Sequence, residues 1–187
     1  MNESTATLVV VGVLIAALTI LGIVAFRRLR RADRATSTAL REIDAALHRR
    51  AALVDEIAAL MDTFGAHDDP ALLHARKAAA YAVDTDSVEH KAAADDCTLR
   101  GLTKTLAATE NIPDLADSSD LRRIRAELSD ATESLAFARQ FYNDGVRQLN
   151  DLTKTVPWVF FAGFAGVKPR CYFQVPQRPG TGPRVES

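Results

Sequence analysis

Cysteine is scarce in this chain: Cys97 and Cys171 are the two thiols among 187 residues, far apart and in no C-x-x-C or C-x-x-H spacing. That removes the ordinary grounds for a disulfide scaffold or a zinc site, and both are read as small, reduced packing residues. Glycine (9) and proline (7) are few and gather toward the ends and junctions, so long stretches hold nothing that interrupts a helix. Excess charge is also missing. With 23 Lys plus Arg against 24 Asp plus Glu, the net charge of -1 provides no field that would gather a nucleic acid, and no such partner is expected. There is no H-E-x-x-H, G-x-x-x-x-G-K-[ST], G-x-G-x-x-G or G-x-S-x-G. No acid stands three residues before His48, His67, His74 or His90, the pairing that a di-metal helical bundle needs. Neither cysteine has a nearby histidine to activate it. No catalytic residue, cofactor or metal ligand is assigned, and the chain is read as non-enzymatic.

What the chain has in abundance is one apolar run. Residues 4–26 carry no charge, and residues 8–26 are almost wholly apolar. A helix over the 23 uncharged residues reaches about 34 Å, enough to cross a hydrocarbon core of about 30 Å with some tilt. The rival reading is a cleaved secretory signal, which has a basic start, a shorter apolar stretch and a small-residue cleavage site. Here Glu3 is the only charge before the run, and Ile23, Val24 and Ala25 make a poor cleavage site, so a retained transmembrane helix is expected. Arg27, Arg28, Arg30, Arg31 and Arg34 follow, with Asp33 the only acid among them. Basic residues at a span end stay cytoplasmic, which predicts a short outside N-terminus and a cytoplasmic soluble part. The same arginines can rest against anionic headgroups, making membrane lipid the expected partner of residues 7–34. Gly12 and Ala16 form a weak small-x-x-x-small pattern for helix pairing.

Beyond the arginines, apolar residues at Leu40, Ile43, Leu47, Val54, Ile57, Met61 and Phe64 step by three and four, which predicts one amphipathic helix ending at Gly65. Arg50 breaks a core position, and Ala51 is expected to close the gap. That helix can run straight on from the membrane helix, although Thr36, Ser37 and Thr38 could interrupt it. Asp69 and Pro70 open a second helix through Leu72, Leu73, Ala79, Ala80 and Tyr81. Residues 84–87 break the apolar pattern before Leu99, Leu102 and Leu106, so residues 70–110 form either one helix or two. The last helix is the clearest signal. Leu121, Ile124, Leu128, Ala131, Leu135, Ala138, Tyr142, Gly145, Leu149, Leu152 and Val156 hold a 3.5-residue repeat, capped by residues 117–120 and ended by Pro157. The economical all-α fold is an elongated antiparallel bundle of three or four long helices, with self-association through the same stripe as the competing use. Residues 156–167 are aromatic and apolar but too short to cross a bilayer. They are expected to cover an end of the bundle, or alternatively to meet a partner or the membrane through Trp158, Phe160, Phe161 and Phe164. Residues 176–187 read as a disordered tail.

Ala138-Arg139, Tyr142-Asn143, Val146, Leu149-Asn150 and Val156-Pro157, followed by Tyr172-Phe173, resemble the signature of the LemA family. Arg49-Arg50, His67-Asp68, Ala75-Arg76 and the run from Glu110 through Pro113 to Leu115 fit its earlier segments. The resemblance runs in order along nearly the whole chain, anchor included. Ile112 and Leu149 stand where the family has tyrosine, Asp68 where it has Glu and Val156 where it has Phe, the mark of a divergent member. The resemblance implies a membrane-anchored bacterial helical bundle of undefined biochemical activity, with roles in membrane-linked signalling or organelle organisation. Arg139, Tyr142, Asn143 and Asn150 match the motif. The two asparagines, seven apart, are expected to bond across helices and fix register, or alternatively to form a site for a ligand or an unknown protein partner. The expected organisation is an outside segment (1–6), a transmembrane helix (7–26), a helical bundle (27–175) and a tail (176–187).

Overall fold

A long helix needs an unbroken run of helix-tolerant residues, and residues 23–64, free of glycine and proline after Gly22, supply one. In the computed structural model, which describes residues 3–66, 69–155, 163 and 165–175, that run belongs to α1, Glu3–Thr63. Thr36 and Ser37 do not interrupt it. Their hydroxyls donate back to the carbonyls of Ala32 and Asp33 at 2.9 Å each, within the helix's own ladder. Gly65 ends α1 as expected, with φ of 77°. Its N–H donates to Asp62 O (3.2 Å) while Ala66 N–H reaches Met61 O (3.0 Å), the paired closure of a left-handed cap.

The region from 70 to 110 resolves into two helices, α2 (Pro70–Asp84) and α3 (Val88–Thr109). Asp69 caps α2 by accepting from Ala71 N–H at 2.8 Å, and Ser87 caps α3 by accepting from His90 N–H at 3.3 Å. A single turn not foreseen from sequence, α4 (Pro113–Ala116), precedes α5 (Ser119–Lys154). The Ser118 hydroxyl accepts from Asp120 and Leu121 at the start of α5. Among the described residues there is no strand: the fold is all-α, with a long apolar N-terminal helix and helices packed together.

The chain divides into two compact units. One comprises Met1–Thr38 and Asp144–Arg170, the other Ala39–Asn143 and Cys171–Ser187. Within the first, Leu29 and Ala32 of α1 pack with Leu149 and Leu152 of α5 and with Ala165 and Val167. Gly145 permits this approach, since a methyl there would lie 3.0 Å from the Thr36 hydroxyl. Residues 8–21, 23 and 24, by contrast, are exposed, and α1 is the one described helix long and apolar enough to cross a membrane.

The second unit buries Leu53, Val54, Ile57 and Met61 of α1 against Leu72, Ala75, Ala79, Leu102, Leu115, Leu121, Ile124 and Leu128. The stripe expected on α5 is buried from Leu121 to Leu152, apart from half-buried Gly145. On α2 the buried set is Leu72, Ala75, Ala79 and Ala82, while Leu73, Ala80 and Tyr81 are exposed because they stand one position off that 3-4-3 spacing. Leu99 is likewise exposed on α3. Both cysteines are free and exposed rather than packing residues. His67, Asp68, Val156, Pro157, Trp158, Phe160, Phe161, Phe164 and residues 176–187 lie outside the described residues.

Candidate functional site

Arg139, Tyr142 and Asn143 fall three and four apart on α5, which sets them on neighbouring positions of one helical face. In the second unit that face holds residues 171–173. The buried Tyr142 hydroxyl donates to Cys171 O at 2.9 Å. Asn143 does more. Its Nδ2 donates to Phe173 O (3.3 Å) and its Oδ1 accepts from Phe173 N–H (2.8 Å). The side-chain amide thereby presents to Phe173 the same donor and acceptor that a neighbouring strand would present. The Phe173 ring is buried, with the Arg139 guanidinium 5.2 Å from its centre, within cation–π range. So Asn143 fixes a non-helical chain segment that turns at residues 172–174; its partners are the main-chain groups of Phe173 and not another helix.

Below that face lies a buried ionic cluster. Arg50 of α1 pairs with Asp95 of α3, and both are nearly inaccessible, at 2% and 4%. A second guanidinium nitrogen of Arg50 donates to the Thr132 hydroxyl at 3.1 Å, and Arg139 lies 4.0 Å from the other Asp95 oxygen. Burial pushes the Asp95 carboxyl above its ordinary range, and the charge and hydrogen bond of Arg50 pull it back. One turn earlier on α3, buried Lys91 pairs with Asp44 at 2.9 Å. Arg50 therefore occupies its core position itself, and Ala51 beside it is only half buried. The interruption of the apolar stripe was the signal for this cluster. Nothing in the spacing of Lys91, Asp95 or Thr132 marked them as its partners.

The first unit repeats the clamp. Asn150 Nδ2 donates to Arg170 O, and Arg170 N–H donates to Asn150 Oδ1, both at 2.9 Å. The Arg170 side chain in turn reaches Asp33 and the Ser37 hydroxyl at 2.8 Å each. That occupies the only acid among residues 27–34. Arg27, Arg30, Arg31 and Arg34 are exposed, and at spacings of three, four and seven they share one stripe, while Ala25, Leu29, Ala32 and Thr36 form the buried face of α1. The Arg30 guanidinium sits 5.5 Å over the Phe26 ring, where the apolar run ends.

The LemA family profile matches residues 39–186. The chain belongs to the LemA family. Inside the LemA match lie the Arg139, Tyr142, Asn143 and Asn150 motif, the clamped residues 170–173 and the whole of the Arg50–Asp95 cluster. The LemA resemblance thus carries positions that hold the fold's C-terminal segment in place. The match begins at Ala39, after the apolar run and the arginine stripe, so the resemblance read across the anchor stops short of it. No curated protein matches the chain.

Proposed function

We propose that this LemA-family protein is a single-pass bacterial membrane protein whose helical part acts at the cytoplasmic face as a non-enzymatic scaffold or adaptor for a protein partner. The observation that carries the reading is the exposed apolar length of α1 followed at once by the arginine stripe. Solvent-exposed apolar surface of that extent is costly in water and favourable in lipid. Thr19 suits the same setting, since its hydroxyl is satisfied within the helix by Ile15 O at 2.8 Å. Four arginines without an acid partner among the described residues supply the bias toward the cytoplasm and contact with anionic lipid.

Cys97 and Cys171 give the test, because both are exposed and burial cannot protect them. A membrane-impermeant thiol reagent should label them only after the cells are permeabilised. Labelling in intact cells would overturn the cytoplasmic placement. A sensor role is the alternative, and it is favoured by the unbroken run of α1 from Glu3 to Thr63. Inserting a flexible Gly-Ser linker after Arg34 separates the two, since a scaffold tolerates it and a transmitter of helix motion does not.

A further inference from the structure

Helices α2 and α3 approach so closely at Gly101 that a methyl there would lie 2.8 Å from Ala75 Cβ and 2.9 Å from Ala71 O. Beside this contact the two helices line a surface groove of about 670 Å³, within the size range of small-molecule sites. Its floor is made of small residues, among them Ala71, Ala78 and Gly101. Basic side chains line it from both helices, Lys77 from α2 and Arg100 and Lys104 from α3, with the His74 imidazole beside Lys77's turn of α2. No carboxylate lines it among the described residues. Arg100 is paired with Asp96 one turn away, whereas Lys77 and Lys104 have no ion partner among the described residues. In a chain of net charge -1, the two unpaired lysines beside an apolar floor are a local departure from the average.

We infer that the α2–α3 groove binds a small amphiphilic organic anion of the phosphate monoester class, its apolar body on the floor at Ala71 and Ala78 and its anionic head between Lys77 and Lys104. Half-buried Ala71 and Ala78 offer methyl surface to such a body, while the space at Gly101 is taken up by the contact between the two helices. The lysines act as flexible point charges that suit a phosphate without fixing one orientation. The site is separate from the membrane reading and stands or falls independently of it.

Cys97 lines the same groove and is free, so its reactivity reports occupancy. The experiment uses the full chain carrying Cys171→Ser in phosphatidylcholine nanodiscs, with the alkylation rate of Cys97 followed at increasing 1-naphthyl phosphate. The main-chain carbonyl of residue 171 that Tyr142 uses is kept in that variant. The inference expects a saturable slowing by about threefold or more, and a half-saturating concentration raised by about fivefold or more in Lys77→Gln/Lys104→Gln, whose charges no longer hold the phosphate. Arg122→Gln, an equal loss of charge per site on α5, should leave the midpoint in place. Inorganic phosphate and 1-naphthol at the same concentrations should leave the rate nearly unchanged, because each supplies only half of the recognised chemistry. Absence of slowing, equal slowing by either half-ligand, or an equal shift in Arg122→Gln overturns the assignment. Circular dichroism matching the parent chain confirms that the double variant is folded.

Discussion

Asp95 sits in a buried ion pair, and its removal has a definite electrostatic consequence. It is 4% exposed, and Arg50, its partner, is 2% exposed. Removing one of two buried opposite charges leaves the other desolvated and uncompensated, whereas replacing both by apolar groups of similar volume removes the burden altogether. Asp95→Ala should therefore destabilise by about 3 kcal/mol in urea denaturation, while Arg50→Met/Asp95→Leu should lie well above either single variant. Equal losses in the single and double variants would contradict this reading of the cluster. Asn143 is the second residue with a definite consequence. Its amide makes two hydrogen bonds to one residue's main chain, so Asn143→Ala should cost about 1–2 kcal/mol and lose protection of the Phe173 amide in hydrogen exchange. Asn143→Asp keeps the acceptor for Phe173 N–H but sets a carboxylate against Phe173 O, so it should not rescue.

Helices α2 and α3 depend on Gly101 in the opposite sense from an ordinary helical glycine. In an exposed helix, Gly→Ala stabilises by about 1 kcal/mol through backbone entropy. At Gly101 the added methyl would meet Ala75 and the Ala71 carbonyl, so overpacking should win and Gly101→Ala should lower stability by about 1–2 kcal/mol, read from the shift in denaturant midpoint. The long elements were legible in the sequence because their signals are local and redundant. Asp69-Pro70, Gly65 and the 3.5-residue stripe from Leu121 each mark a boundary or a face by themselves, and each stands where it was read. The one-turn α4 has too few residues to generate a period. Leu73, Tyr81 and Leu99 show the limit of composition, since an apolar side chain one position off the stripe points to solvent. The candidate site was half legible. Arg139, Tyr142, Asn143 and Asn150 stood out in the sequence, but their partners are main-chain atoms of residues 170, 171 and 173 or ions on other helices, and no spacing rule encodes contacts at such separations.

For the protein as a membrane component, orientation should follow the arginine stripe. If the proposed topology holds, changing Arg27, Arg30, Arg31 and Arg34 together to Glu removes its positive-inside signal, so a fraction of chains should insert the other way and expose Cys97 to impermeant reagent in intact cells. An unchanged labelling pattern would place the topological signal elsewhere. The LemA match, starting at residue 39, shows the family without bearing on the apolar helix before it. The most direct test of the central claim is therefore the intact mass of the protein recovered from carbonate-washed bacterial membranes. A retained anchor predicts the chain in the washed membrane fraction with residues 8–26 still accounted for in its mass. Recovery in the carbonate supernatant, or a mass shortened by loss of the apolar segment, would contradict it.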